Sequence, residues 1–159
     1  MTPVAGVMWW LAGLVAACWA PPVPGPVVEP FRAPLCEFCA GHRGLEFSSP
    51  PGSAVVAVAA GVVTFSGSVA GIRYVVVAHA DGIRATYGSL AATEVGQGQR
   101  VVAGQRLGTS GPRLYFGLRR GQQYLDPGPW FGRPAGRPRL VPLDGRYRRP
   151  GRAGRVCGT

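Results

Sequence analysis

The chain has 159 residues, 17 basic side chains that are all Arg, 7 Asp or Glu, and a formal net charge of +10. Setting aside an apolar N-terminal segment and a basic C-terminal tail leaves roughly 110 residues, room for one compact core and not for two. Arg133, Arg137, Arg139, Arg146, Arg148, Arg149, Arg152 and Arg155 lie in the tail against a single acid, Asp144, so most of the net charge sits there and a uniformly basic domain is excluded.

From the N-terminus, Val4 to Ala20 carries no charge and contains Trp9, Trp10, Leu11 and Leu14. It is short of the ~20 apolar residues of a spanning helix, and the small residues Ala16, Ala17 and Ala20 offer cleavage positions, so residues 1–20 read as an export signal. Val15-Ala16-Ala17-Cys18 also fits a lipobox with Cys18 as the acylated residue, and an uncleaved membrane anchor is the third reading. All three place the domain outside the cytoplasm, in the cell wall or anchored at the membrane. The Pro-rich segment 21–30 reads as a linker, and the folded domain is expected over residues 31–131.

Cys36 and Cys39 come next, followed by His42 and Glu46 in a Cys-x2-Cys-x2-His-x3-Glu spacing. Reduced thiols at this spacing could join the imidazole and carboxylate around zinc. An oxidising compartment favours a Cys36–Cys39 disulfide instead, with Cys157 as an alternative partner. His42 and Glu46, four residues apart beside Gly41 and Gly44, are where a metal site could begin.

The middle of the chain predicts short strands. Ala54 to Ala59, Gly61 to Gly67, Arg73 to His79 and Gly82 to Tyr87 are rich in Val, Ile, Thr and Tyr, with glycines and Asp81-Gly82 between them. Val95 to Val102 and Gly104 to Gly108 add two turn-and-strand units. Arg113 to Arg119 alternates, with Leu114, Phe116 and Leu118 on one face and Arg113, Tyr115, Gly117 and Arg119 on the other. No helical stripe follows Ala20, so the fold class is all-β, an antiparallel sandwich or open barrel. Trp130 and Phe131 are expected to close the edge of the core. The tail, 132–159, is too rich in Gly, Pro and Arg to bury apolar surface and reads as disordered. For an exported protein its partners would be anionic wall polymers or a membrane surface, with no nucleic acid expected; a GC-rich coding sequence would account for the same Arg content without any partner.

In order and spacing these pieces resemble the lysostaphin-type or LytM zinc metallopeptidases, which cut peptide cross-links in bacterial cell walls. Gly41-His42-Arg43-Gly44-Leu45-Glu46-Phe47 is similar to the family's His-x-Gly-x-Asp-Phe ligand motif, and Pro51-Gly52 through Gly61-Val62-Val63 to its hairpin. Thr86-Tyr87-Gly88-Ser89-Leu90 resembles the run ending Tyr-x-His-Leu, Gly96-Gln97 and Gly104-Gln105 the Gly-Gln segment, and Asp126-Pro127 the closing turn. The resemblance implies zinc held by His42, by Glu46 in place of Asp, and by the second residue of a late His-x-His. Here that motif is Arg113-Leu114-Tyr115, and Ser89 stands at the remaining catalytic His position.

A phenol with a reference pKa of about 10 is a poor zinc ligand near neutral pH, and a guanidinium cannot ligate. The expectation is therefore a degenerate member with no confident catalytic residue and no resident cofactor, zinc being the one candidate. Arg113 would pair with Glu46 where the metal would otherwise sit. The groove would involve His42, Glu46, His79, Arg113 and Tyr115, although a structural, hydrogen-bonded His79 is the reading its strand-end position favours. Peptidoglycan or a peptidoglycan hydrolase would be the partner. An active zinc endopeptidase and a wall-attached scaffold held by its Arg-rich tail are the alternatives.

Overall fold

The computed structural model describes residues 18–36, 39–134 and 155–156. The strands are β1 (Val27–Glu29), β2 (Leu45–Ser48), β3 (Ala54–Val56), β4 (Gly61–Val69), β5 (Ile72–Ala78), β6 (Ile83–Thr93), β7 (Arg100–Val101), β8 (Arg106–Arg120) and β9 (Gln123–Leu125), followed by a 3-10 turn at Gly128–Phe131. These nine strands form one sheet in the order β1-β2-β8-β6-β5-β4-β7, with β3 and β9 also paired to β8. Every pairing is antiparallel, and no α-helix occurs among the described residues, as the strand-like runs and turn signals require.

The 15-residue β8 organises the sheet. β6 runs along one edge of it, while β9, β2 and β3 pair in turn with residues 118–120, 113–116 and 106–109 on the other edge. β4 and β5 form a hairpin closed by Ala70-Gly71 with φ of 49° and 81°, the doubly positive geometry that matches strand twist. Alternate residues of the long strands face inward. Phe47, Val75, Val77, Tyr87, Leu114 and Phe116 are at most 2% exposed and form the heart of the core. Tyr87 is wholly buried because its hydroxyl accepts the Val58 N–H at 3.0 Å. Trp130 and Phe131 do close one side, Phe131 meeting Phe47 and Phe116 at ring distances of 5.9 and 5.4 Å.

Residues 21–30 do not form a free linker. Pro22 and Val23 are buried in the core, the Pro22 carbonyl accepts the Val56 N–H at 2.8 Å, and β1 adds an edge strand to β2. Proline suits such a packed edge because its ring is apolar and it has no N–H to satisfy. Trp19 extends the contact, donating its N–H to the Trp130 carbonyl at 2.9 Å. Cys18 is disulfide-bonded, a state that a lipidated Cys18 could not share. The export reading of residues 1–17 and most of the tail reading lie outside the described residues. Where the tail is described it is paired: Arg133–Pro134 (β10) forms a short antiparallel ladder with Arg155–Val156 (β11), so disorder does not hold at those four positions.

Candidate functional site

Parity along β2 and β8 builds the site. Leu45, Phe47, Leu114 and Phe116 point into the core, which sends Glu46, Arg113 and Tyr115 to the outer face. The register sets Glu46 opposite Tyr115 and Ser48 opposite Arg113. From that diagonal position Arg113 Nη1 donates to Glu46 Oε2 at 2.9 Å, forming the ion pair anticipated from the sequence.

His42 reaches the same place from the preceding loop. Its backbone exchanges two 2.9 Å hydrogen bonds with Arg32, and its Nδ1 lies 3.0 Å from the Pro30 carbonyl. A carbonyl only accepts, so this contact calls for the proton on Nδ1 and leaves Nε2 available. The imidazole stands edge-on to the Tyr115 ring at 6.0 Å.

Tyr115 lies flat along the outer face. A Cβ added at Gly44 would come within 2.7 Å of its ring, and one at Gly117 within 2.7 Å of its phenol oxygen, so these two glycines leave room for it. The hydroxyl donates to the Arg43 carbonyl at 3.0 Å. Burial, with smaller contributions from Tyr124 and Tyr74, pushes the phenol up to about 12 against the opposing pull of Arg43. At neutral pH it is an uncharged donor whose proton is committed to backbone.

Sequence reasoning missed Glu29. β1 pairs with β2 and brings it opposite Glu46, so that ligand atoms of Glu29, His42 and Glu46 lie within 4.8 Å of one another. Its only signal was a single acid in a Pro-rich segment, easily dismissed as linker. Carboxylate, imidazole and carboxylate are chemically suited to zinc, yet each carboxylate already holds a guanidinium: Arg32 on Glu29 at 2.6 Å and Arg113 on Glu46. A metal would have to displace both cations. The arrangement implied by the resemblance fits less well, since Tyr115 offers no anionic oxygen.

The remaining predicted residues are elsewhere. Cys36 and Cys39 form a disulfide, which removes both thiolates from any donor set. Ser89 is exposed at a bulge of β6, with φ of 61°, between Gly88, paired to Tyr115, and Leu90, paired to Ser110. His79 does not belong to the groove. It shares the inward parity of Val75 and Val77, is 8% exposed, bonds the Ala60 carbonyl through Nδ1 at 2.8 Å, and packs against Trp19 at 5.7 Å. Asp126 caps the closing turn by accepting the Gly128 N–H at 2.9 Å.

A cavity of about 590 Å³ opens beside Tyr115, and His42 is not among the residues that line it. The sheet's outer face forms its floor, with Tyr74, Thr86, Arg84, Arg119 and Tyr124 around it. The lining of this cavity thus comes from β4, β5, β6, β8 and β9.

A family model described as Peptidase family M23 matches residues 40–127. The DD-carboxypeptidase/endopeptidase Mpg of Neisseria meningitidis serogroup B is 33% identical over 94 residues, covering 54% of this chain and 22% of its own length. The murein hydrolase activator EnvC of Escherichia coli is 36% identical over 99 residues, covering 57% of this chain and 24% of its own. The chain therefore spans only about a quarter of these two relatives. Among solved structures, the catalytic domain of a mutant of the prophage-encoded M23 protein EnpA from Enterococcus faecalis is similar with a TM-score of 0.57 and 26% identity, over 69% of this chain and 95% of that one.

Proposed function

Because the chain belongs to peptidase family M23, we propose that it works as a non-hydrolytic member, exported to the wall, that binds peptidoglycan peptide or regulates a peptidoglycan hydrolase. The observation that carries the reading is the Arg113–Glu46 pair at 2.9 Å beside a Tyr115 hydroxyl bonded to backbone. A cation and a neutral phenol occupy the outer face where hydrolysis needs a metal ion and its water. A catalytic zinc site usually takes three protein ligands with an open position, and of the positions the family uses only His42 and Glu46 offer donors. The printed role of EnvC, activating a murein hydrolase, supplies a precedent for the regulatory form. A disulfide at Cys36–Cys39 and a bonded Cys18 agree with an oxidising compartment.

The test joins metal analysis to wall binding. The purified chain should carry no stoichiometric zinc, release no muropeptides, and either sediment with peptidoglycan or accelerate a wall amidase. Stoichiometric zinc together with cleavage of cross-linked peptidoglycan would overturn it. Removing residues 133–159 separates a wall-binding tail from a wall-binding groove, because retention is lost only if the tail is the tether.

A second reading has its own observation. Glu29, His42 and Glu46 lie close enough to share one ion, and His42 has the carbonyl-bonded Nδ1 common among metal-binding histidines. On this reading R113A, which frees Glu46, raises zinc affinity at least tenfold in a competition titration and E29Q abolishes the gain. Equal, negligible zinc binding by all three proteins would leave the metal-free reading alone.

A further inference from the structure

The far end of the cavity carries a charge arrangement that neither the core nor the ion pairs use. Across the outer face, Ala78 pairs with Arg84, Arg84 with Arg119, and Arg119 with Tyr124. Two guanidiniums therefore start from directly opposite positions on neighbouring strands, where like charges repel. No acid among the described residues pairs with them. Ion pairs among the described residues engage Arg32, Arg106 and Arg113, while the guanidiniums of Arg84 and Arg119 make no hydrogen bond or ion pair there.

Both line the 590 Å³ cavity, and among the described residues no carboxylate does. Beside them the Thr86 and Tyr74 hydroxyls also lack a hydrogen-bonding partner among the described residues. Apolar surface from Phe65 and Val76 completes the wall. A fold that keeps two unpaired cations side by side on a concave, otherwise hydroxyl-lined and apolar surface gives up stability unless an anion joins them. Paired guanidiniums present donors in the forked geometry that suits an oxyanion.

Length narrows the ligand. Arg119 stands four residues beyond Tyr115 on the same face of β8, about 13 Å at strand spacing. That is the reach of about four extended residues. We propose that Arg84 and Arg119 form a carboxylate-binding fork that takes the free C-terminus of a short peptide laid along the groove toward Tyr115. The inference rests on the reading of this groove as a binder of wall peptide, and it names the group by which the peptide would be held.

Calorimetric titration of the full chain tests it with three probes: an N-acetylated tetrapeptide stem ending in a free carboxylate, the same peptide as its C-terminal amide, and inorganic phosphate. The free acid should bind at least tenfold more tightly than the amide. R84Q/R119Q should erase that difference, and R100Q/R106Q, with the same loss of charge away from the cavity, should keep it. Thermal melting checks folding, and R84Q/R119Q should melt no lower than the parent because it removes a repulsion. If acid and amide bind equally, unaffected by R84Q/R119Q but weakened by Y74A, the fork is overturned while the groove reading survives. Phosphate bound through Arg84 and Arg119 without either peptide would assign the cations to a phosphate ligand and overturn both. Absence of binding by every probe would do the same.

Discussion

Tyr115 shows how one side chain can close a site without disturbing the strand that carries it. Its hydroxyl serves the Arg43 carbonyl, its ring covers Gly44 and Gly117, and its pKa stands near 12 against an ordinary 10. The folded state holds this proton more tightly than the unfolded state. The resulting stability is complete below about pH 10 and is lost as pH rises through about 12. Y115F should therefore flatten part of the alkaline loss of stability between those limits, followed by urea unfolding at stepped pH. Near neutral pH the same variant should cost about 1 kcal/mol, because a carbonyl loses its donor. Unchanged alkaline behaviour would show that Tyr115 does not titrate as described. Arg113, Tyr115 and Ser89 were legible in the sequence because a motif fixed their positions. Glu29, Arg84 and Arg119 were not, since their meaning comes from cross-strand partners that spacing along the chain does not reveal.

At the scale of elements, β8 unites core and groove by alternation, and the sequence disclosed this where Leu114, Phe116 and Leu118 interleave with Arg113, Tyr115, Gly117 and Arg119. The same alternation would have placed His79 correctly: counted from Val75 and Val77 it faces the core. Gly44, just before β2, lies tight against β8: a Cβ added there would stand 2.5 Å from the Phe116 carbonyl oxygen. G44A should cost about 1–3 kcal/mol by overpacking and shift Tyr115, read as lower thermal stability with altered tyrosine fluorescence. Residues 21–30 were misread because Pro and Gly composition signals a break in regular structure, yet says nothing of whether the segment packs. Val23 is 2% exposed, so V23A should cost about 2 kcal/mol in chemical denaturation, from lost apolar burial and the space left behind. A true linker residue would show no change.

The molecule as a whole joins a β-sheet body of modest charge to a strongly basic tail. All-β architecture was readable because turn signals and β-branched runs alternate throughout the middle of the chain. The single sheet centred on β8 was not, because hairpin signals identify neighbours in sequence but not the strands that meet across long connections. The Cys36–Cys39 bridge closes a loop too short to constrain the unfolded chain greatly. C36S/C39S should cost about 2 kcal/mol at most. Melting in the presence and absence of reductant checks this, and a larger shift on reduction of the parent would measure what the bond at Cys18 adds.

The hydrogen bond from Trp19 to Trp130 has a spatial consequence. It ties the first described stretch of chain to the segment that leads into the tail, with the two indole rings 6.0 Å apart. Both segments therefore leave the sheet from one place, beside the disulfide-bonded Cys18. Whatever is attached before Cys18 or after Phe131 is held at that place, and neither Trp19 nor Trp130 lines the cavity.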